Sequence, residues 1–351
     1  MKIAIVSDAW RPQINGVVTT LSKTAETAIL LGHTVEVVSS EGVRSFACPS
    51  YPEIRLALNP GRLVRQRLDR FAPEMIHIAT EGPLGLAARR YCLKRRLPFT
   101  TSFHTQFPDY AKARWGIPAS WGYAFLRWFH RPAVRTLVGT QSVGANLQAQ
   151  GFRHLVPWSR GVDTDLFRPD PGAHAQALQR WPGPIMLYSG RVAVEKNLSA
   201  FLRLKMPGTK VIVGDGPART ELQREFPDAV FVGYRFGAEL AAHMAMADVF
   251  VFPSCTDTFG IVMLEAMACG VPVAAYPVQG PRDVVRQGIT GMLNENLKVA
   301  IEAALKLEPD ACRSFALMQS WERCTRQFLG HLAPIGVRAR APSASAREQP
   351  A

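Results

Sequence analysis

Short apolar runs alternate with helical stretches along nearly the whole chain, and the alternation starts twice. In the first half, residues 2–6, 34–38, 75–78, 99–103 and 136–138 read as strands. A long helical pattern over 17–31 ends at Gly32. Residues 162–172, V-D-T-D-L-F-R-P-D-P-G, are polar with two prolines and read as a domain connection. Beyond them 185–188, 210–213, 230–232, 249–252 and 272–275 repeat the strand pattern, with helical patterns at 237–247 and 261–269. Strands alternating with helices argue for a parallel, doubly wound sheet. The expected architecture is therefore α/β, with two Rossmann-like domains facing a cleft at the carboxyl ends of their strands. Residues 1–168 form the first domain, 169–320 the second, 321–332 a final helix, and 333–351 a Pro/Ala/Ser/Arg-rich disordered tail.

A chain of 351 residues suffices for two cores, and its 47% apolar and 20% charged shares are those of a soluble globular protein. No apolar run approaches the roughly 18 residues of a spanning helix, because Glu265 interrupts the best candidate. The opening M-K-I-A-I-V-S-D is too short in its apolar part for a signal peptide. Six cysteines without a C-x-x-C pair or regular framework suit reduced thiols in a cytoplasmic protein. The net charge of +13 is uneven: residues 1–170 hold 22 Lys and Arg against 12 Asp and Glu. The first domain thus faces something anionic, either nucleic acid or an acidic lipid surface.

The stretch S-C-T-D-T-F-G-I-V-M-L-E-A-M-A-C-G, 254–270, carries two carboxylates, Asp257 and Glu265, with seven residues between them. Thr258, Phe259 and Gly260 lead into a helix that Gly270 stops. Asp257 then sits on the loop and Glu265 about a turn and a half inside. At ~1.5 Å per residue the acids lie roughly 8 Å apart or more, too far for one metal and suited to the two ends of an elongated ligand. Glu265 is enclosed by apolar neighbours, where a carboxylate is costly without a partner. The helix start offers unpaired amides to a phosphate.

Asn15-Gly16-Val17 places a glycine before the first long helix, where backbone can approach a phosphate, although a plain turn uses the same residues. Arg191 and Lys196 follow a strand and can clamp a diphosphate; two solvated charges fit equally. His104 ends a strand in S-F-H-T, placed to hydrogen-bond a substrate or carry a proton, or else to stand as a capped histidine. No histidine spacing suits a metal site, and no G-x-G-x-x-G or G-x-S-x-G is present. Basic and aromatic residues interleave over 112–135 (Arg114, Trp115, Trp121, Phe125, Arg127, Trp128, Phe129, Arg131), with further basic clusters at 62–70 and 89–96. That pattern suits a membrane interface; a core of aromatics with a solvated basic face is the alternative.

Together the first-loop N-G-V, the S-F-H-T, the G-R-x-x-x-x-K and the spaced acids resemble the retaining glycosyltransferases of family 4, of GT-B fold, from Lys2 to about Leu329. A-T-E-G-P-L-G-L-A at 79–87 and R-G-V-D-T-D-L-F at 160–167 look most like the bacterial GDP-mannose-dependent α-mannosyltransferases, near the sulfoquinovosyl-diacylglycerol synthases. The resemblance implies a metal-independent hexosyltransferase with no cofactor, moving mannose from GDP-mannose to a lipid or glycan acceptor. Arg191 and Lys196 would neutralise the departing diphosphate. Glu265 would hold the donor ribose and Asp257 the transferred sugar. Phe259, Gly260 and Ile261 would present amides, while Asn15, Gly16 and Val17 would meet the phosphates from the other domain. His104 would sit near the reacting carbon, and the final helix would cross back to the first domain. Much of the family has glutamate where Asp257 stands. The implied partners are the donor, the acceptor and an anionic membrane surface, not nucleic acid, for a cytoplasmic protein peripheral on the inner membrane face. The alternatives are a UDP-sugar-dependent sulfoquinovosyl or glucosyl diacylglycerol synthase, a GT-B nucleotide-sugar epimerase, and a basic nucleic-acid-binding module.

Overall fold

A computed structural model describes residues 1–41, 44–48, 51–106 and 118–336. Lys112, Arg114 and Trp115, and the tail from 337 onward, lie outside the described residues. The first half supplies β1 (Lys2–Val6), β2 (Thr34–Val38), β3 (Ser45–Cys48), β4 (Tyr51–Ala57), β5 (Met75–Ile78), β6 (Thr100–Phe103), β7 (Arg135–Val138) and β8 (Leu155–Pro157). The second half supplies β9 (Ile185–Ser189), β10 (Thr209–Val213), β11 (Val230–Gly233), β12 (Val249–Phe252), β13 (Val273–Ala275) and β14 (Gly291–Leu293).

Two six-stranded sheets result, ordered β2-β1-β5-β6-β7-β8 and β11-β10-β9-β12-β13-β14. All pairings within both are parallel. In β9 Ile185 and Leu187 enter one core cluster while Met186 and Tyr188 enter another, so helices must cover both faces of the sheet. In each sheet the chain first winds outward one way (β1 to β2; β9 to β11) and then resumes on the other side (β5; β12). The loops after β1 and β5, and after β9 and β12, therefore splay apart at the carboxyl edge and open a crevice.

The antiparallel pair β3–β4 was not expected. The domain boundary also falls earlier than residue 168. Val162 and Phe167 already pack in the second domain's core, and Arg313 donates to the carbonyls of Thr164, Phe167 and Ala268, tying the connection to that domain. The helix Trp321–His331 then sends Cys324 and Phe328 into a cluster with Ile3, Ile5 and Leu21 of the first domain. Part of the tail is not disordered as composition suggested. Ile335 N–H donates to Glu74 O at 2.7 Å and Pro334 bridges Met75, so the strand edge holds this segment.

The domains also touch directly. Ser142, at the start of the helix Gln141–Ala149, donates its N–H to Asp283 Oδ1 at 3.0 Å, and Thr258 Oγ1 donates to His104 O at 2.7 Å.

Candidate active site

The two crevices face each other across one cavity of about 460 Å³. Asn15, Gly16, Val17 and His104 line it from the first domain. Arg191, Lys196, Asp257, Phe259, Gly260, Ile261 and Glu265 line it from the second. The candidate catalytic and donor-binding residues thus line one cavity, and the basic and aromatic residues described over 118–135 do not.

Local structure explains their placement. Asn15 is the N-cap of the helix Gly16–Leu30, its Oδ1 accepting from Val17 N and Val18 N at 3.0 Å each. The Val17 amide is therefore occupied by the cap. A Cβ on Gly16 would come 3.9 Å from Ile261 Cδ1, an ordinary contact, so glycine here is not demanded by the surrounding protein. Gly260 differs. It caps the helix Ile261–Ala268 at φ +84°, and a Cβ there would come 2.8 Å from Met263 Cε and 3.0 Å from Phe252 Cζ. The short 3₁₀ turn Val194–Lys196 carries Lys196 back toward β12.

Lys196 Nζ donates to Asp257 Oδ1 at 2.6 Å, with both side chains about four-fifths buried. Asp257 Oδ2 is buried without a hydrogen-bond partner among the described residues. Glu265 stands within its helix at the cavity wall, and burial pushes its carboxyl up to about 7. No described residue gives it a hydrogen bond, and burial alone accounts for the shift.

His104 is held at both ring nitrogens. A guanidinium only donates, so Arg160 Nη2 gives to Nδ1 at 3.3 Å, and Nε2–H gives to Ser102 Oγ at 2.8 Å. Burial, then the Arg160 charge, holds the imidazole neutral, well below its ordinary pKa. In this arrangement Nε2 carries the ring proton and both nitrogens are engaged within the protein.

Sequence reasoning missed Glu81, Arg160, Tyr234 and Phe236, which also line the cavity. Arg160 is 5% exposed and lies 4.6 Å over the Trp158 ring, and burial pulls its guanidinium down to about 10. The Tyr234 and Phe236 rings stack at 5.9 Å. The usable signal was position, since Glu81, Tyr234 and Phe236 each follow the end of a parallel strand. Among the described residues no three His, Cys, Asp or Glu side chains cluster as metal ligands, and no helix is long and apolar enough to cross a membrane.

Residues 14–166 match the Glycosyltransferase Family 4 profile and residues 183–308 the profile of Glycosyl transferases group 1. A GDP-mannose-dependent alpha-mannosyltransferase of Mycobacterium tuberculosis is 34% identical, covering 94% of this chain and 96% of its own. The chain belongs to glycosyltransferase family 4. This glycosyltransferase is also 33% identical to the sulfoquinovosyl transferase SQD2 of Arabidopsis thaliana, over 72% of this chain and 52% of that one. Sucrose-phosphate synthase from Thermosynechococcus elongatus superposes with a TM-score of 0.76 at 20% identity, covering 94% of this chain and 97% of that one. Anabaena HepE, solved with UDP and glucose, gives 0.71 at 17%, covering 94% and 98%. Those likenesses identify the family 4 enzyme's fold as GT-B.

Proposed function

We propose that this glycosyltransferase moves mannose from GDP-mannose to a lipid or glycan acceptor, with retention at the anomeric carbon and without a metal ion. The observation that carries the reading is the single cavity that joins two cations and two acids of the second domain to a helix N-terminus of the first. Arg191 and Lys196 take the diphosphate, where charge grows as the glycosidic bond breaks, and so stabilise the transition state more than the ground state. Glu265 accepts hydrogen bonds from the ribose hydroxyls. Asp257, with Oδ2 unused, takes hydroxyls of the transferred sugar. Closure of the domains excludes water, so the sugar is not lost to hydrolysis. The 34% identity to a GDP-mannose-dependent relative supports the donor.

A face of the helix Ala119–His130 supports contact with an anionic membrane. Trp121, Phe125 and Trp128, spaced four and three residues apart, are 72%, 43% and 50% exposed, and the Arg89 guanidinium lies 3.9 Å over Trp128.

A second reading, a UDP-sugar donor with a diacylglycerol acceptor, is favoured by the likeness to SQD2. A thermal-shift panel of GDP-mannose, UDP-glucose and ADP-glucose separates the two. A ligand at 100 times its Kd stabilises by about 2.7 kcal/mol. GDP-mannose should give the largest rise. A larger rise with UDP-glucose moves the assignment to the second reading, and no rise with any of the three removes the transferase role from this cavity.

A further inference from the structure

On the first-domain wall of the cavity most polar side chains are committed to the protein. Asn15 Oδ1 caps its helix, and both nitrogens of His104 are engaged. Thr80 Oγ1 donates to Asp8 Oδ2 at 2.9 Å and accepts from Asp8 N at 2.8 Å. Asp8 spends its carboxylate on the amides of Leu84 and Gly85, at the start of the helix Pro83–Arg95.

Glu81 is the one carboxylate among the described residues that line the cavity from this domain. Its side chain is nine-tenths buried, and Oε1 faces His130 Nε2 at 3.2 Å. No described residue gives Oε2 a hydrogen bond, and Glu81 lines the cavity. Behind it stands a rigid support. His130 is 3% exposed in its side chain, and its Nδ1 meets Thr101 Oγ1 at 2.9 Å. Thr101 Oγ1 in turn meets Thr136 Oγ1 at 2.9 Å, while Phe103, Phe129 and Phe152 surround the imidazole. A carboxylate held this way is fixed in direction and short of one donor.

Its position decides which donor. The phosphate-binding cations belong to the opposite domain, and a carboxylate repels phosphate. A neutral hydroxyl is the complementary group. Asp257 and Glu265 already serve the donor's sugar and ribose on the proposed reading, which leaves the acceptor.

We propose that Glu81 accepts a hydrogen bond from a hydroxyl of the acceptor, with His130 as its positioning residue. This rests on the transferase reading above and narrows it. The acceptor then carries at least two neighbouring hydroxyls, one attacked and one held. It is a sugar or polyol headgroup, rather than a diacylglycerol with a single hydroxyl.

The test uses GDP-[14C]mannose with octyl α-D-mannopyranoside, which has several hydroxyls, and 1,2-dioctanoylglycerol, which has one. Wild-type protein should prefer the mannoside. Glu81→Gln, near-isosteric, should raise the mannoside KM about tenfold or more while the GDP-mannose KM stays within about twofold. His130→Leu should reproduce the acceptor KM defect, and His130→Gln, which keeps a donor toward Glu81, should restore most of it. Melting temperatures of the variants exclude a merely structural loss. An unchanged mannoside KM in Glu81→Gln, a rise in donor KM instead, or a preference for dioctanoylglycerol overturns the proposal. Failure of the functional reading is distinct: wild-type protein would then show neither GDP-mannose turnover nor a nucleotide-dependent thermal shift.

Discussion

Lys196 and Asp257 are bonded to each other, so a phosphate arriving at Lys196 shares it with a carboxylate. Lys196→Ala should cut kcat/KM by roughly a hundredfold or more, a loss near 3 kcal/mol of transition-state stabilisation. The melting temperature should fall too, because Asp257 stays largely buried without this cation, so the kinetics are read well below the unfolding transition. Wild-type kinetics in this variant would remove the clamp.

Glu265 adds a pH dependence whose sign follows from its raised pKa. The unfolded chain releases this proton near the ordinary 4.5, the folded protein near 7. Stability from this group is present at low pH and lost as pH rises through about 7. Ribose hydroxyls donate to the ionised form, so donor binding runs the opposite way. Affinity for GDP-mannose should rise about tenfold between roughly pH 6 and 8, and Glu265→Gln should flatten it. Calorimetric titrations across that range in both proteins check this. A flat wild-type profile would contradict the ribose role.

The helix Ile261–Ala268 shows how an element aims a site. Its first turn is set by a left-handed glycine wedged against Phe252 and Met263. Gly260→Ala should destabilise the protein by about 1–3 kcal/mol through backbone strain and crowding, with donor KM rising as the helix start shifts. A chemical-denaturation midpoint equal to wild type would refute it.

Most strands of the two sheets were legible in the sequence as short, largely apolar runs: 2–6, 34–38, 75–78 and 249–252 coincide with the observed elements, the edge strand β2 among them. The edge strands β8 and β14, three residues each, were not, and β3–β4 holds polar residues and Pro52 in a pattern no buried strand would show. Arg191, Lys196, Asp257 and Glu265 were legible because their spacing follows strand ends. Arg160 was not, because only the tertiary fold brings the loop after β8 to this cavity, and Glu81, though it follows the end of β5, has no local pattern that turns it toward the cleft. The engagement of His104 by Arg160, 56 residues away, is likewise invisible to any local pattern.

At the scale of the whole molecule, the crossing helix Trp321–His331 makes the last residues of the second half part of the first domain's core. The exposed aromatics of the helix Ala119–His130 lie in the more basic half. Wild-type protein should co-sediment with phosphatidylglycerol vesicles and much less with phosphatidylcholine. Replacing Trp121 and Phe125 together by Ser should weaken that binding about tenfold or more with the melting temperature unchanged, since both side chains are exposed. Equal binding to both vesicle types would remove the electrostatic contribution.

The ion pair between Lys196 and Asp257 has a consequence for the end of the catalytic cycle. On the proposed reading, a donor brings a diphosphate for one member and a sugar for the other, so each exchanges one good partner for another. Once the sugar has left, the remaining nucleotide still competes for the ammonium but offers the carboxylate nothing. The spent half of the substrate is the poorer guest, and the pair re-forming beneath it helps to expel it.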